Sequence, residues 1–195
     1  MLDRTFIKSV TTALSGGVVA QLVVLLASPV ITRIYPPDIY GAFASLNAYA
    51  SLLAPLLILS YSIILVLPNR KKDSFYILIS AIIMSTLLSV VLFILYVFFS
   101  NYLNFGGSII FLAWTVSIMQ LYSYWFIREE KFSFRAKYLI LQAIMVAILK
   151  VTIGYVYPNI DGLILSTLIP GFLFSLLIGV HIVSVHREGL DNGEK

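Results

Sequence analysis

The chain of 195 residues is 60% hydrophobic and only 11% charged, with a mean hydropathy of +0.98, whereas a soluble domain carries roughly a quarter charged residues. That composition excludes a soluble globular protein, and the net charge of +4 is no nucleic-acid signal because the charged residues are dispersed between apolar blocks. With no Cys, disulfides, zinc-thiolate centres and thiol nucleophiles are excluded too.

The apolar blocks run from Thr11 to Ile31, Ile39 to Leu67, Phe75 to Ser100, Ser108 to Ile127, Tyr138 to Tyr157 and Leu163 to Val185. Each is about 20 residues or more, enough at 1.5 Å per residue to cross a hydrocarbon core of roughly 30 Å. Their apolarity is continuous rather than alternating, which excludes a transmembrane β-barrel. The expectation is an all-α fold: a polytopic membrane bundle of six transmembrane helices forming a single membrane domain over residues 1–195.

The first block begins like a signal peptide, with "MLDRTFIKS" followed by "LVVLLAS", but its apolar run continues through "PVIT" and reads as an uncleaved first helix. Ser15, Gly16 and Ala20 give it a small-xxx-small face for a neighbouring helix, and Pro29 can bend its outer end. The second block has Gly41, Ser45 and Ala48 at similar spacing and Pro55 near its centre. The sixth carries Pro170 and Gly171.

The segments before the first block, between the second and third, between the fourth and fifth, and after the sixth hold every Lys and Arg except Arg33 and Lys150. The positive-inside rule puts those segments, and with them both termini, in the cytoplasm. The connections "SNYLNFGGS" and "YPNIDG" carry no Lys or Arg and are short, which leaves the membrane interior as the place for function.

Lys150 is the one ionisable residue deep in a block. It stands 12 residues from one end of the fifth block and 7 from the other, or roughly 18 Å and 10 Å along a helix. One reading is a lysine snorkelling to the outer face; the other is a hydrated cavity in which Lys150 supplies positive potential for an anionic substrate. Gln21, Asn47, Gln120 and Gln142 are polar residues of other positions in the blocks that would line the same cavity, or hydrogen-bond between helices.

Enzymatic chemistry has little support. "NFGGS" lacks the strand before and the Lys-Ser/Thr after that a phosphate-cradling loop needs. His181 and His186, five apart, turn to different helix faces and do not make a metal pair. Glu129 and Glu130 sit in a basic loop as a solvated charge cluster. No cofactor is expected, and no catalytic residue is assigned.

The order "LSGGVVAQLVVLLASPVITRIYPPDIYGAFA", then "YSIILVLP" and a basic loop, resembles the N-terminal part of bacterial polysaccharide-biosynthesis membrane proteins. These are the O-antigen and exopolysaccharide flippases of the multidrug/oligosaccharidyl-lipid/polysaccharide exporter superfamily. Arg33, Tyr35, Pro37, Tyr40 and Gly41 form the most specific part, and "WFIREEKFSFRAKYLI", with Trp125, Arg128, Phe132 and Arg135, is similar to the family's fourth-to-fifth helix connection. Ser62 stands after Tyr61 where the family pattern has an acidic residue.

The resemblance implies a transporter of the bacterial plasma (inner) membrane that flips oligosaccharides linked to undecaprenyl diphosphate by alternating access, without hydrolysing ATP. The family has two six-helix lobes, and this chain matches one, so it implies a half-transporter or a truncated or split member. Its second lobe would come from homodimerisation or a separate chain. Pro36 and Pro37 would stop the first helix, Tyr35 and Tyr40 would anchor at the outer interface, and Gly41 would let the second helix start close to its neighbour. Arg33 at the outer mouth would meet the diphosphate, or else Asp38 or lipid headgroups. The alternative is a non-transporting scaffold subunit of a polysaccharide-assembly complex, acting through Arg128, Lys131, Arg135 and Lys137.

Overall fold

The structure, a computed structural model, describes residues 4–59, 61–65, 67, 71–99 and 106–191, and the side chains of 15–59, 61–65, 67, 73–99 and 106–185 among them. The side chains of Arg4, Lys8, Arg70, Lys71, Lys72, His186, Arg187 and Lys195, and most of "SNYLNFGGS", lie outside the described residues. The elements are α1 (Arg4–Ile34), α2 (Pro37–Leu57), α3 (Tyr61–Ile64), α4 (Lys71–Phe99), α5 (Ser108–Arg128), α6 (Phe132–Val156) and α7 (Ile160–Asp191). All but the short α3 are long and apolar enough to span a membrane, which makes the protein an all-helical, multi-pass membrane bundle of six spans.

The turns follow from local chemistry. α1 ends at Ile34 because Pro36 and Pro37 follow, and Pro37 takes the first position of α2, where its missing N–H costs nothing. The α5–α6 turn is a Schellman motif: Glu130 adopts a left-handed φ of 56° and donates its N–H to Ile127, while the Lys131 N–H reaches back to Phe126. α6 therefore starts four residues after α5 ends, and the two form a tight hairpin.

The second apolar block differs from the expectation. It is not one helix from Ile39 to Leu67: α2 stops at Leu57, Leu59 takes a left-handed φ of 44°, and the short α3 follows. Pro55 accordingly lies in the last turn of α2 and not at its centre, removing a backbone donor just where the helix gives way.

α5 is the hub, packing on α2, α4, α6 and α7, with 56% of its span buried against 6% for α1. Ser117 ties it to α2 by donating to the Ala54 carbonyl at 3.0 Å. On the opposite flank Thr115 faces Gly171, and the Tyr122 hydroxyl occupies the space beside Gly179, so two glycines of α7 let α5 come close. Trp114 donates to Thr86 of α4 at 3.1 Å.

α1 has its main contact with α6. The two run parallel and in step: a Cβ at Gly16 would collide with Ala136, and one at Gly154 would lie 2.7 Å from Ile34 and 2.8 Å from the Tyr35 ring. Each pair of contact points is 18 residues apart on both helices, about five whole turns, so one unbroken stripe of each helix faces the other. Gly16 thus does what its small-xxx-small context predicts. Gly41 does not, for a side chain there would meet nothing within 4 Å.

Candidate functional site

α6 has three kinds of face. Ala136 and Gly154 mark the stripe against α1, while Lys137, Leu141, Ile144, Ile148, Thr152 and Tyr155 are exposed on the lipid side. Between the α1 stripe and the side toward α5 run Arg135, Leu139, Gln142, Val146 and Lys150, every one half-buried. At 100° per residue these five fall within a band about 80° wide, with Arg135, Gln142 and Lys150 spaced by about 10 Å and 12 Å along the axis. A membrane helix that places a guanidinium, an amide and an ammonium on one partly shielded band, and leucine and isoleucine toward lipid, is built around a polar seam.

Two aromatic residues fix the part of that seam nearest the end of α1. Tyr35 is 1% exposed, and its hydroxyl donates to the Lys150 carbonyl at 3.0 Å. It is an interior clasp between α1 and α6, which corrects the expectation of an interface anchor; the pocket left by Gly154 is what admits its ring. The Lys150 Nζ lies 4.6 Å from the centroid of Phe43, a buried residue of α2. Lys150 thereby bridges the α1–α6 pair and the α2–α5 pair.

Magnitudes decide what that bridge means. An ammonium in the membrane costs about 2.5–3.5 kcal/mol on insertion scales, and a cation–π contact returns about 0.5–2 kcal/mol. Among the described residues no carboxylate pairs with Lys150, and the acids nearest the spans, Asp38, Asp73 and Asp161, sit in first turns of helices. The remaining cost calls for water or an anion beside the ammonium.

The other polar residues of the blocks divide. Gln120, half-buried, lies one turn from Ser123 on the flank of α5 turned to α6, and Gln142 joins Lys150 on its band. Asn47 is one turn beyond Phe43 on α2 and exposed. Gln21 is also exposed, but it stands about 140° around α1 from Gly16 and so turns away from α6. Arg33 is exposed in the last turn of α1, where a cation suits the helix dipole, and it makes no ion pair with Asp38.

At the basic end the seam closes over residues that composition alone does not single out. The Arg135 Nε donates to the Ser123 Oγ at 2.6 Å. Phe126 packs on Phe134 and Tyr138, with ring centroids 4.9 Å and 5.6 Å apart, and Phe134 stacks on His181 at 5.0 Å. Arg128 pairs with Glu129 at 2.9 Å. The 7- and 8-residue spacing of Arg135, Gln142 and Lys150 was the available sequence signal for this band; Phe43, Ser123 and Tyr35 had none, since they depend on which helices meet. Among the described residues no group of three His, Asp or Glu could hold a metal.

No family model, curated protein or solved structure matches the chain.

Proposed function

We propose that the protein carries lipid-linked oligosaccharide, of the undecaprenyl-diphosphate type, across a bacterial inner membrane for O-antigen, capsule or exopolysaccharide synthesis. The observation that carries this reading is Lys150: a membrane-embedded ammonium without a carboxylate partner among the described residues, on a band of α6 that also bears Gln142 and Arg135. A diphosphate supplies the missing negative charge, and the amides of Gln120 and Gln142 offer hydrogen bonds to sugar hydroxyls. Both termini are cytoplasmic in this reading, by the distribution of Lys and Arg.

The chain acts as a half-transporter, its second lobe being another copy or a separate chain. The support is the surface of α1 and α2, where Gln21, Ser45, Asn47 and Ser51 are exposed on helices otherwise suited to lipid. Ser45 and Ser51 donate back to their own helix at Gly41 and Asn47, which mutes their polarity, but the amides of Gln21 and Asn47 have no such outlet. A facing lobe satisfies them.

The test is reconstitution of the chain in proteoliposomes with a fluorescent polyprenyl-diphosphate-linked sugar, scored by the fraction that reaches the opposite leaflet. Translocation that disappears in Lys150→Met is the expected result. Translocation equal to protein-free vesicles, together with no binding of the labelled lipid, rejects the reading.

A further inference from the structure

We propose that Arg135, Ser123 and Tyr138, at the basic end of the α5–α6 hairpin, form a binding site for a phosphate group presented at the membrane surface. The inference stands apart from the transport reading, because it rests on a local excess of hydrogen-bond donors.

Arg135 carries five N–H donors in a planar fork and uses one, at Nε, on the Ser123 Oγ. None of the rest meets a carboxylate among the described residues, since the acid of the neighbouring turn that pairs at all, Glu129, does so with Arg128. Ser166 and Ser175 donate their hydroxyl protons to carbonyls of their own helices, whereas Ser123 accepts from Arg135 and turns its own proton toward the Tyr138 hydroxyl and not to a carbonyl. Tyr138, one turn along α6 from Arg135, is 5% exposed; its hydroxyl lies beside Ser123 and Arg135, close enough to share the Ser123 proton, and donates to no acceptor.

Three side chains therefore converge with donors in excess and no anion among them. A buried phenol whose proton has no acceptor marks a place for a water or an ion, and a cluster of donors around a guanidinium selects an anion. The terminal nitrogens of Arg135 match two phosphate oxygens bidentately. The depth fits as well: Arg135 is in the first turn of the span of α6, so it lies at the level of headgroups. With Arg135 shifted off Ser123 onto a phosphate, the Ser123 and Tyr138 hydroxyls become its remaining donors. The carrier is a lipid of that leaflet or a soluble phosphate compound, and the chemistry of recognition is the same.

The test is titration of the detergent-solubilised full chain with inorganic pyrophosphate, short-chain phosphatidylglycerol, a short-chain polyprenyl diphosphate and, as control, a carboxylate amphiphile of equal chain length. Binding is read by thermal shift and native mass spectrometry. At least one phosphate probe is expected to bind, about tenfold more weakly in Arg135→Gln and about threefold more weakly in Tyr138→Phe, as the loss of one charged and one neutral hydrogen bond predicts. Lys137→Gln, an equal change of charge on the exposed side of α6, is expected to stay within about twofold. Pyrophosphate binding identifies a soluble source and lipid-only binding a headgroup; both support the site. Failure of all three phosphate probes, equal binding of the carboxylate, or equal weakening by Lys137→Gln overturns it. If Arg135→Gln does not fold, Tyr138→Phe decides, because it removes only a hydroxyl whose proton has no acceptor in the structure: unchanged phosphate affinity in that variant rejects the site.

Discussion

Two faces of one helix behave in opposite ways. Toward α1, α6 offers Ala136 and Gly154, and the backbones approach so closely that Tyr35 reaches across to the Lys150 carbonyl. About 40–120° further round, it offers Arg135, Gln142 and Lys150, none of them fully buried. In lipid there is no hydrophobic force between helices, so a permanent joint needs small residues and close packing. A face that devotes its positions to charge instead gives up that packing, and the cost is offset only through what the charge binds. Close packing and polarity thus divide by angle around α6.

Changes at the joint are expected to be the most damaging. Gly154→Leu puts a side chain where Ile34 and the Tyr35 ring already lie, and should cost about 3 kcal/mol or abolish folding. Thermal unfolding in detergent checks it, and a melting curve like that of the unchanged protein would show that α1 does not press on α6. Lys150→Met sharpens the contrast in the other direction: translocation is lost while the melting temperature holds or rises, by the equivalent of up to about 2 kcal/mol, as an ammonium is removed from the membrane. A drop in stability would make Lys150 part of the joint.

Smaller effects belong to the connections. Tyr35→Phe deletes one hydrogen bond and should lower stability by about 0.5–1 kcal/mol while leaving the helix contact intact. Glu130→Gly relieves a left-handed φ at the hairpin and should add about 1 kcal/mol in the same melting assay; a loss would mean that the Glu130 side chain has a role that its exposed position hides.

Much of the bundle was legible because hydropathy and proline act locally. The six spans, the stop at Pro36 and Pro37 and the close approach at Gly16 all follow from residue type and spacing. The break after Leu57 was hidden, since Leu59, Tyr61 and Leu65 are as apolar as the helix before them, and only a backbone conformation separates the two pieces. Tyr35 was misjudged for a related reason: a tyrosine near a span end commonly anchors at the interface, but the glycine that makes room for it lies 119 positions later, at Gly154. Lys150 stood out as a charge in an apolar run, whereas its contact with Phe43 required knowing that α2 and α6 face the same seam.

The most direct measurement uses the absence of native Cys. Single cysteines at positions 139, 142, 146 and 150 along the polar band, and at 141, 144 and 148 on the lipid side, would be treated with a membrane-impermeant thiol reagent from both sides of the membrane. A water-filled polar seam predicts labelling of the first set and protection of the second. Protection of both sets alike would contradict it and leave Lys150 as a lysine held dry against Phe43.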